Sequence, residues 1–222
     1  MSEKKQNRLP GFEHRLPVVL TTFAVFFLLA VSPQRIRVFP HWVFYSMAIG
    51  TLLPMIIVGI SVNKTRWMRI EHGVVLLFCF FGCVSNIVGL MTLARAMIRR
   101  PSELTGLQLL SSSVAIWISN VLIFTLAYWQ VDRGGPHARM NNTARLPDWH
   151  FPAQDFITEV APGWRPRFID YLFLGFCTAT AFSNTEATPL THRAKIMMMI
   201  QSLISLITIV VVGARAINIL SS

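Results

Sequence analysis

Charge is scarce in this chain, and negative charge scarcer still. Only 14% of its 222 residues are Asp, Glu, Lys or Arg, with 10 acidic side chains against 20 basic ones. A soluble domain carries about a quarter charged residues, so a water-facing globule of ordinary composition is excluded. Cysteine is nearly missing, with only Cys79, Cys83 and Cys177. The first two stand four apart on one helix face, where they do not meet in disulfide geometry, and no four-ligand zinc spacing exists. All three read as small packing residues, so no metal or other cofactor is expected. Also missing are a Gly-rich phosphate loop, HExxH, GxSxG and any nucleophile-with-base spacing, so the chain is not read as an enzyme. The six histidines, His14, His41, His72, His137, His150 and His192, are dispersed. Asp148 and His150 form the one pair that could share a surface metal, although two such groups on a loop are ordinarily just solvated.

Apolar sequence is what the chain has in quantity: 53% of it is hydrophobic. The long apolar runs follow one another closely, which implies a single transmembrane domain over residues 1–222 with no separate soluble module. The basic residues collect at the ends of these runs, where Lys and Arg snorkel to lipid phosphates. The expected partner is therefore the lipid bilayer and not nucleic acid. The expected location is the cell membrane, as a multi-pass protein of a bacterial inner membrane.

The first run is Leu16–Val31. Ala30-Val31-Ser32 resembles a signal cleavage site, but Glu3 and Glu13 ahead of it and Pro33 behind it favour an uncleaved span. Residues 42–62 give the second span, kinked at Pro54. Residues 74–93 give the third, with Gly82, Asn86 and Gly89 as a small-residue stripe admitting a close neighbour and Asn86 bonding across to it. Residues 107–128 give the fourth, which Asp132-Arg133-Gly134-Gly135-Pro136 terminates. The polar stretch from there to Pro166 is too long to be a simple connection.

Residues 168–182 are apolar but short, about 22 Å as a helix against a bilayer core of about 30 Å. They read as a re-entrant half-helix, opened by Pro166 and Asp170, followed by the polar run Ser183-Asn184-Thr185-Glu186. A final span covers 194–220, with Gln201, Ser205, Thr208 and Arg215 on one face and apolar residues opposite. That stripe is either a seam between helices or a water-lined path. Glu186 and Asp170, carboxylates beside a membrane-embedded turn, are functional candidates, and Glu186 has Arg193 and Lys195 as possible ion-pair partners. The expected fold is all-α: a polytopic helix bundle of five spans plus one re-entrant half-helix, with six spans as the alternative.

Over residues 107–220 this order of parts resembles the pore module of two-transmembrane potassium channels. Tyr171, Phe173, Phe176, Thr178, Thr180, Glu186, Thr188, Pro189 and the basic turn His192-Arg193-Ala194-Lys195 carry the resemblance. The front half is similar to uncharacterised bacterial membrane proteins that end in such a module. The resemblance implies a homo-oligomer, inorganic cations as partners, and a pore turn made from Thr178, Thr180, Ser183, Asn184, Thr185 and Glu186. Two filter glycines of the family are replaced here by Ser183 and Thr185, which makes the left-handed torsions of a stacked-carbonyl filter costly. Potassium selectivity is not carried over, and permeation would rest on rings of side chains. The functions this leaves are a cation-channel-like pore acting as an oligomer, or a non-conducting scaffold, sensor or partner subunit. A transporter ranks last, for want of an inverted repeat. Most Lys and Arg residues fall on the side of the N-terminus and the polar turn, which by the positive-inside rule is cytoplasmic. A channel-like module would put its turn outside, so orientation stays open.

Overall fold

Long runs of Leu, Ile, Val and Phe free of proline can close every backbone hydrogen bond within a helix, and helices dominate the protein. The structure, a computed structural model, describes residues 16–31, 49–50, 64–99, 106–140, 146–155, 164–180 and 187–220. Its helices are α1 (Leu16–Val31), α2 (Lys64–Arg99), α3 (Gly106–Val131), the short α4 (Gly135–Met140), α5 (Phe168–Thr180) and α6 (His192–Leu220). Two two-residue strands, β1 (Trp149–His150) and β2 (Thr188–Pro189), pair antiparallel, Trp149 opposite Pro189 and His150 opposite Thr188. The all-α expectation holds. Arg69–Ala96, Gln108–Gly134 and His192–Gly213 are long and apolar enough to cross a membrane.

The first expected run coincides with α1. The expected span 42–62 lies outside the described residues except for Ile49 and Gly50, which are helical. The third differs most: α2 starts at Lys64, well ahead of residue 74, and continues to Arg99. Apolarity located the span but not the helix, because Lys, Arg, Glu and Met extend a helix as readily as Leu does.

α3 occupies the centre and packs against α1, α2, α5 and α6. Its residues 123–130 are buried without a gap, as befits a helix with neighbours all round. Two glycines set how closely the neighbours come. A Cβ at Gly82 of α2 would lie 2.8 Å from Ile123 Cδ1, and one at Gly175 of α5 would lie 2.6 Å from Thr125 Oγ1. Of the stripe expected at Gly82, Asn86 and Gly89, Gly82 thus meets its partner closely, while a Cβ at Gly89 would lie in ordinary contact, 3.7 Å from Ile116 Cδ1.

The distribution of polarity is the reverse of a water-soluble domain. Leu20 and Phe27 of α1, Leu77 and Phe80 of α2, and Leu203, Leu206 and Val210 of α6 are all exposed. Asn120, Thr125, Gln201, Ser205 and Thr208 are buried between helices.

α3 stops where the sequence says it should. Arg133, Gly134 and Gly135 take φ of 56°, 82° and 90°, the left-handed region that only glycine enters freely. Gly135 is also wedged against α2, since a Cβ there would lie 2.7 Å from His72 Nδ1 and 2.8 Å from Gln130 O. The stretch beyond is not simply a polar loop. It carries α4, β1 and a 3-10 turn, Pro152–Gln154, and it returns to the end of α3.

Candidate functional site

Two carboxylates, those of Asp132 and Asp148, are wholly buried at this end of the bundle. An ionised group taken out of water is tolerable only when paired and hydrogen-bonded. Asp132, in the turn after α3, accepts the Asp148 backbone N–H on Oδ1 (2.9 Å) and the Tyr171 hydroxyl on Oδ2 (2.6 Å). Arg133 Nε lies 3.8 Å from the same Oδ2. Asp148 accepts the Thr191 hydroxyl on Oδ1 (2.7 Å) and is gripped at both oxygens by Arg193, through Nε and Nη2. Its backbone carbonyl accepts the N–H of Leu190 (2.8 Å).

One aspartate thus ties the end of α3 to α5 and to the 146–155 segment, and the other ties that segment to the turn before α6. Every carboxylate oxygen has a donor. The arrangement holds chain segments together and leaves no free base for proton transfer.

Supporting groups fix the two anchors. Thr191 Oγ1 accepts the Ala194 N–H (3.3 Å), which caps α6 at its first turn. Arg139 of α4 donates to the carbonyls of Trp129 (3.0 Å), in the last turn of α3, and of Asp132 (2.7 Å), just after it. Its guanidinium lies 5.6 Å from the Trp129 ring centroid and 5.8 Å from that of Tyr171. Burial lowers its pKa from the ordinary arginine value, with Tyr171 and then Asp132 opposing the shift. Trp149 is fully buried, 4.9 Å from the Tyr128 ring, with its indole N–H directed at Met198 Sδ.

Deeper in the bundle the polar groups are neutral. Gln201 of α6 accepts the Tyr128 hydroxyl on Oε1 (2.5 Å) and donates from Nε2 to the Gly175 carbonyl (2.7 Å). Asn120 Nδ2 donates to the Gln201 carbonyl (3.1 Å) and to Ser205 Oγ (2.9 Å). Ser202 Oγ donates to the Thr178 carbonyl (3.1 Å). This seam joins α3, α5 and α6.

The residues singled out in the sequence fall in different places. Gln201, Ser205 and Thr208 do share one face, and it is buried in the bundle. Thr208 donates to its own helix at Ile204 O (2.7 Å). The side chain of Arg215 lies outside the described residues, as do Ser183, Asn184, Thr185 and Glu186. Thr178 and Thr180 turn their hydroxyls onto α5 itself, at Leu174 O (2.8 Å) and Phe176 O (2.9 Å).

Several expectations need correcting. Asp148 and His150 do not share a site: Asp148 faces inward to Arg193, and His150 Nε2 meets Asp155 Oδ2 at 2.7 Å. Arg193, a suggested partner for Glu186, is bound to Asp148, and Glu186 itself lies outside the described residues. Asp170, by contrast, opens α5 as expected, its Oδ2 accepting the Arg167 backbone N–H (2.6 Å). Asn86 Nδ2, expected to bond across to a neighbouring helix, has no partner. Among the described residues no three His, Cys, Asp or Glu stand together as a metal would need.

Sequence reading missed Asp132, Asp148 and Arg139. The available signal was scarcity: in a chain with so few acids, one beside a helix-ending glycine pair and another beside a tryptophan are candidates for burial. Compared with known proteins, the chain matches no family model, no curated protein and no solved structure.

Proposed function

We propose that this chain is a multi-pass integral protein of a bacterial inner membrane, in which α5 and the following turn form a re-entrant hairpin. We further propose that it acts as a cation-channel-like pore, as an oligomer built around that hairpin. One observation carries the reading: both limbs of the hairpin are anchored at the same end of the bundle. Tyr171, in the first turn of α5, is held by Asp132, and Thr191 and Arg193, after the turn, are held by Asp148. The backbone of Asp148 is in turn bonded to Asp132.

Lengths support it. α5 has 13 residues, about 20 Å at 1.5 Å per residue, short of a bilayer core of about 30 Å. From Thr180 to Ala187 an extended chain reaches roughly 25 Å, enough to climb back along the whole of α5. In this reading the polar run Ser183-Asn184-Thr185-Glu186, which lies outside the described residues, supplies the side chains offered to an ion. The apolar faces of α1, α2 and α6 are consistent with lipid around the bundle.

Flux of several monovalent and divalent cations into liposomes loaded with purified protein tests the reading, with Asn184→Ala and Glu186→Gln expected to change rate or selectivity. Protein that passes no ion overturns the conducting role. Reporter tags in the 146–155 segment and next to Leu190 test the hairpin separately, and must label from the same side of the membrane. A second reading is a non-conducting scaffold, sensor or partner subunit. It is favoured by the polar stripe of α6, whose Gln201 and Ser205 are already bonded within one protomer. Silent liposomes together with a stably co-purifying partner would select it.

A further inference from the structure

Where α2 meets α3, two amide atoms have been left without partners. Asn86 Nδ2 on α2 and Asn120 Oδ1 on α3 are buried and have no hydrogen-bond partner, in residues that are 2% and 0% exposed. Asn120 spends its Nδ2 on Gln201 O and Ser205 Oγ of α6, which fixes the amide plane and makes the spare atom the oxygen.

The register of the helix pair brings the two together. Gly82 lies against Ile123 and Gly89 against Ile116, so the helices run antiparallel with these stripes facing. Four residues on from Gly82 is Asn86, and three back from Ile123 is Asn120, which puts both on the facing stripes at one level. The spare atoms are of opposite kind, one a donor and one an acceptor, yet they do not bond to each other.

We propose that Asn86 and Asn120 bind a single internal water molecule, which accepts from Asn86 Nδ2 and donates to Asn120 Oδ1. Buried polar groups in folded proteins are almost always satisfied, by protein or by such a water. Other ligands fit worse. A cation needs several oxygens and meets here one oxygen and an inward N–H; an anion meets a carbonyl oxygen. The site therefore takes a small neutral molecule that both donates and accepts. This does not depend on whether the bundle lies in a membrane or conducts.

The test begins with Asn86→Leu, which keeps the branching and the number of heavy atoms. If the water bridges, the change strands Asn120 Oδ1 and lowers the thermal midpoint in detergent by about 2–4 °C. If Asn86 is a true orphan, removing its unpaired donor leaves the midpoint unchanged or raises it, and the proposal falls. A measurement on the unaltered protein stands independently of how that variant folds. With asparagine side chains labelled with nitrogen-15, the Asn86 carboxamide protons should show a nuclear Overhauser effect to water. A resolved Asn86 signal with no such effect overturns the proposal.

Discussion

The two buried polar zones of this bundle follow opposite rules. At the end of α3, full charges are buried, and both oxygens of Asp132 and of Asp148 are taken up by donors. In the middle, only neutral amides and hydroxyls are buried, and Asn86 Nδ2 and Asn120 Oδ1 are left over. The contrast follows from what each omission costs. A buried neutral group without a partner costs about 1–3 kcal/mol, whereas a buried charge left without one costs about 3–5 kcal/mol. The end-zone carboxylates have to be fully partnered to be buried, although Arg133 Nε beside them lies 3.8 Å from Asp132 Oδ2 and makes no hydrogen bond, and the two aspartates fix the path of the chain. The middle zone can go without a direct protein partner, because a neutral pair can be completed by an internal water.

That difference predicts a ranking of substitutions, read as thermal or denaturant stability in detergent. The largest loss is expected from Arg193→Ala, about 3 kcal/mol, because it strands the wholly buried Asp148 carboxylate. Arg193 is itself nearly half exposed, which holds the figure to the low end of the range for buried pairs. The double variant Asp148→Asn with Arg193→Gln should recover part of this loss, since it removes the charge along with its partner. Gln201→Leu comes next, at about 2 kcal/mol, by stranding the Tyr128 hydroxyl and the Gly175 carbonyl. Should Gln201→Leu cost more than Arg193→Ala, the neutral seam and not the aspartate pair is the main polar anchor.

How far the sequence could be read follows the same divide. Apolar runs and helix-ending glycines are local signals, and they located α1, the body of α3, the short α5 and the buried face of α6. The left-handed torsions at Gly134 and Gly135 follow directly from the residues there. The aspartate pair was not legible in this way. Asp132 and Asp148 lie 16 residues apart in sequence, and Asp148 reaches Arg193 across 45 more. Around Asp148 the sequence offers only the scarcity of acids and a neighbouring tryptophan, which do not say where its partner lies. Its partner becomes visible only once β1 and β2 pair. The true extent of α2 was hidden for a different reason, since polar ends of helices leave no hydrophobic signature.

A smaller effect sharpens the comparison within the end zone. Tyr171→Phe removes one neutral donor from Asp132 and leaves the Asp148 N–H and the Arg133 guanidinium nearby. The expected loss is about 1–2 kcal/mol, with protease resistance of the α5 start as a second readout. A loss as large as that of Arg193→Ala would mean that the hydroxyl, not the ion pair, governs the docking of α5.

The smallest effect is expected at His150 and Asp155, and it decides whether burial or mere charge pairing is at work. Their 2.7 Å contact is about as short as the contacts of Asp148, but the side chains are 35% and 65% exposed. Water can replace either partner, so Asp155→Asn should cost no more than about 0.5 kcal/mol and respond to salt. The substitution lies in the same segment as Asp148 and next to the same strand pair, so local geometry is held nearly constant between the two tests. If Asp155→Asn proves as damaging as Arg193→Ala, the distance between charges is what matters at this end. Burial is then not what makes the Asp132 and Asp148 anchors indispensable.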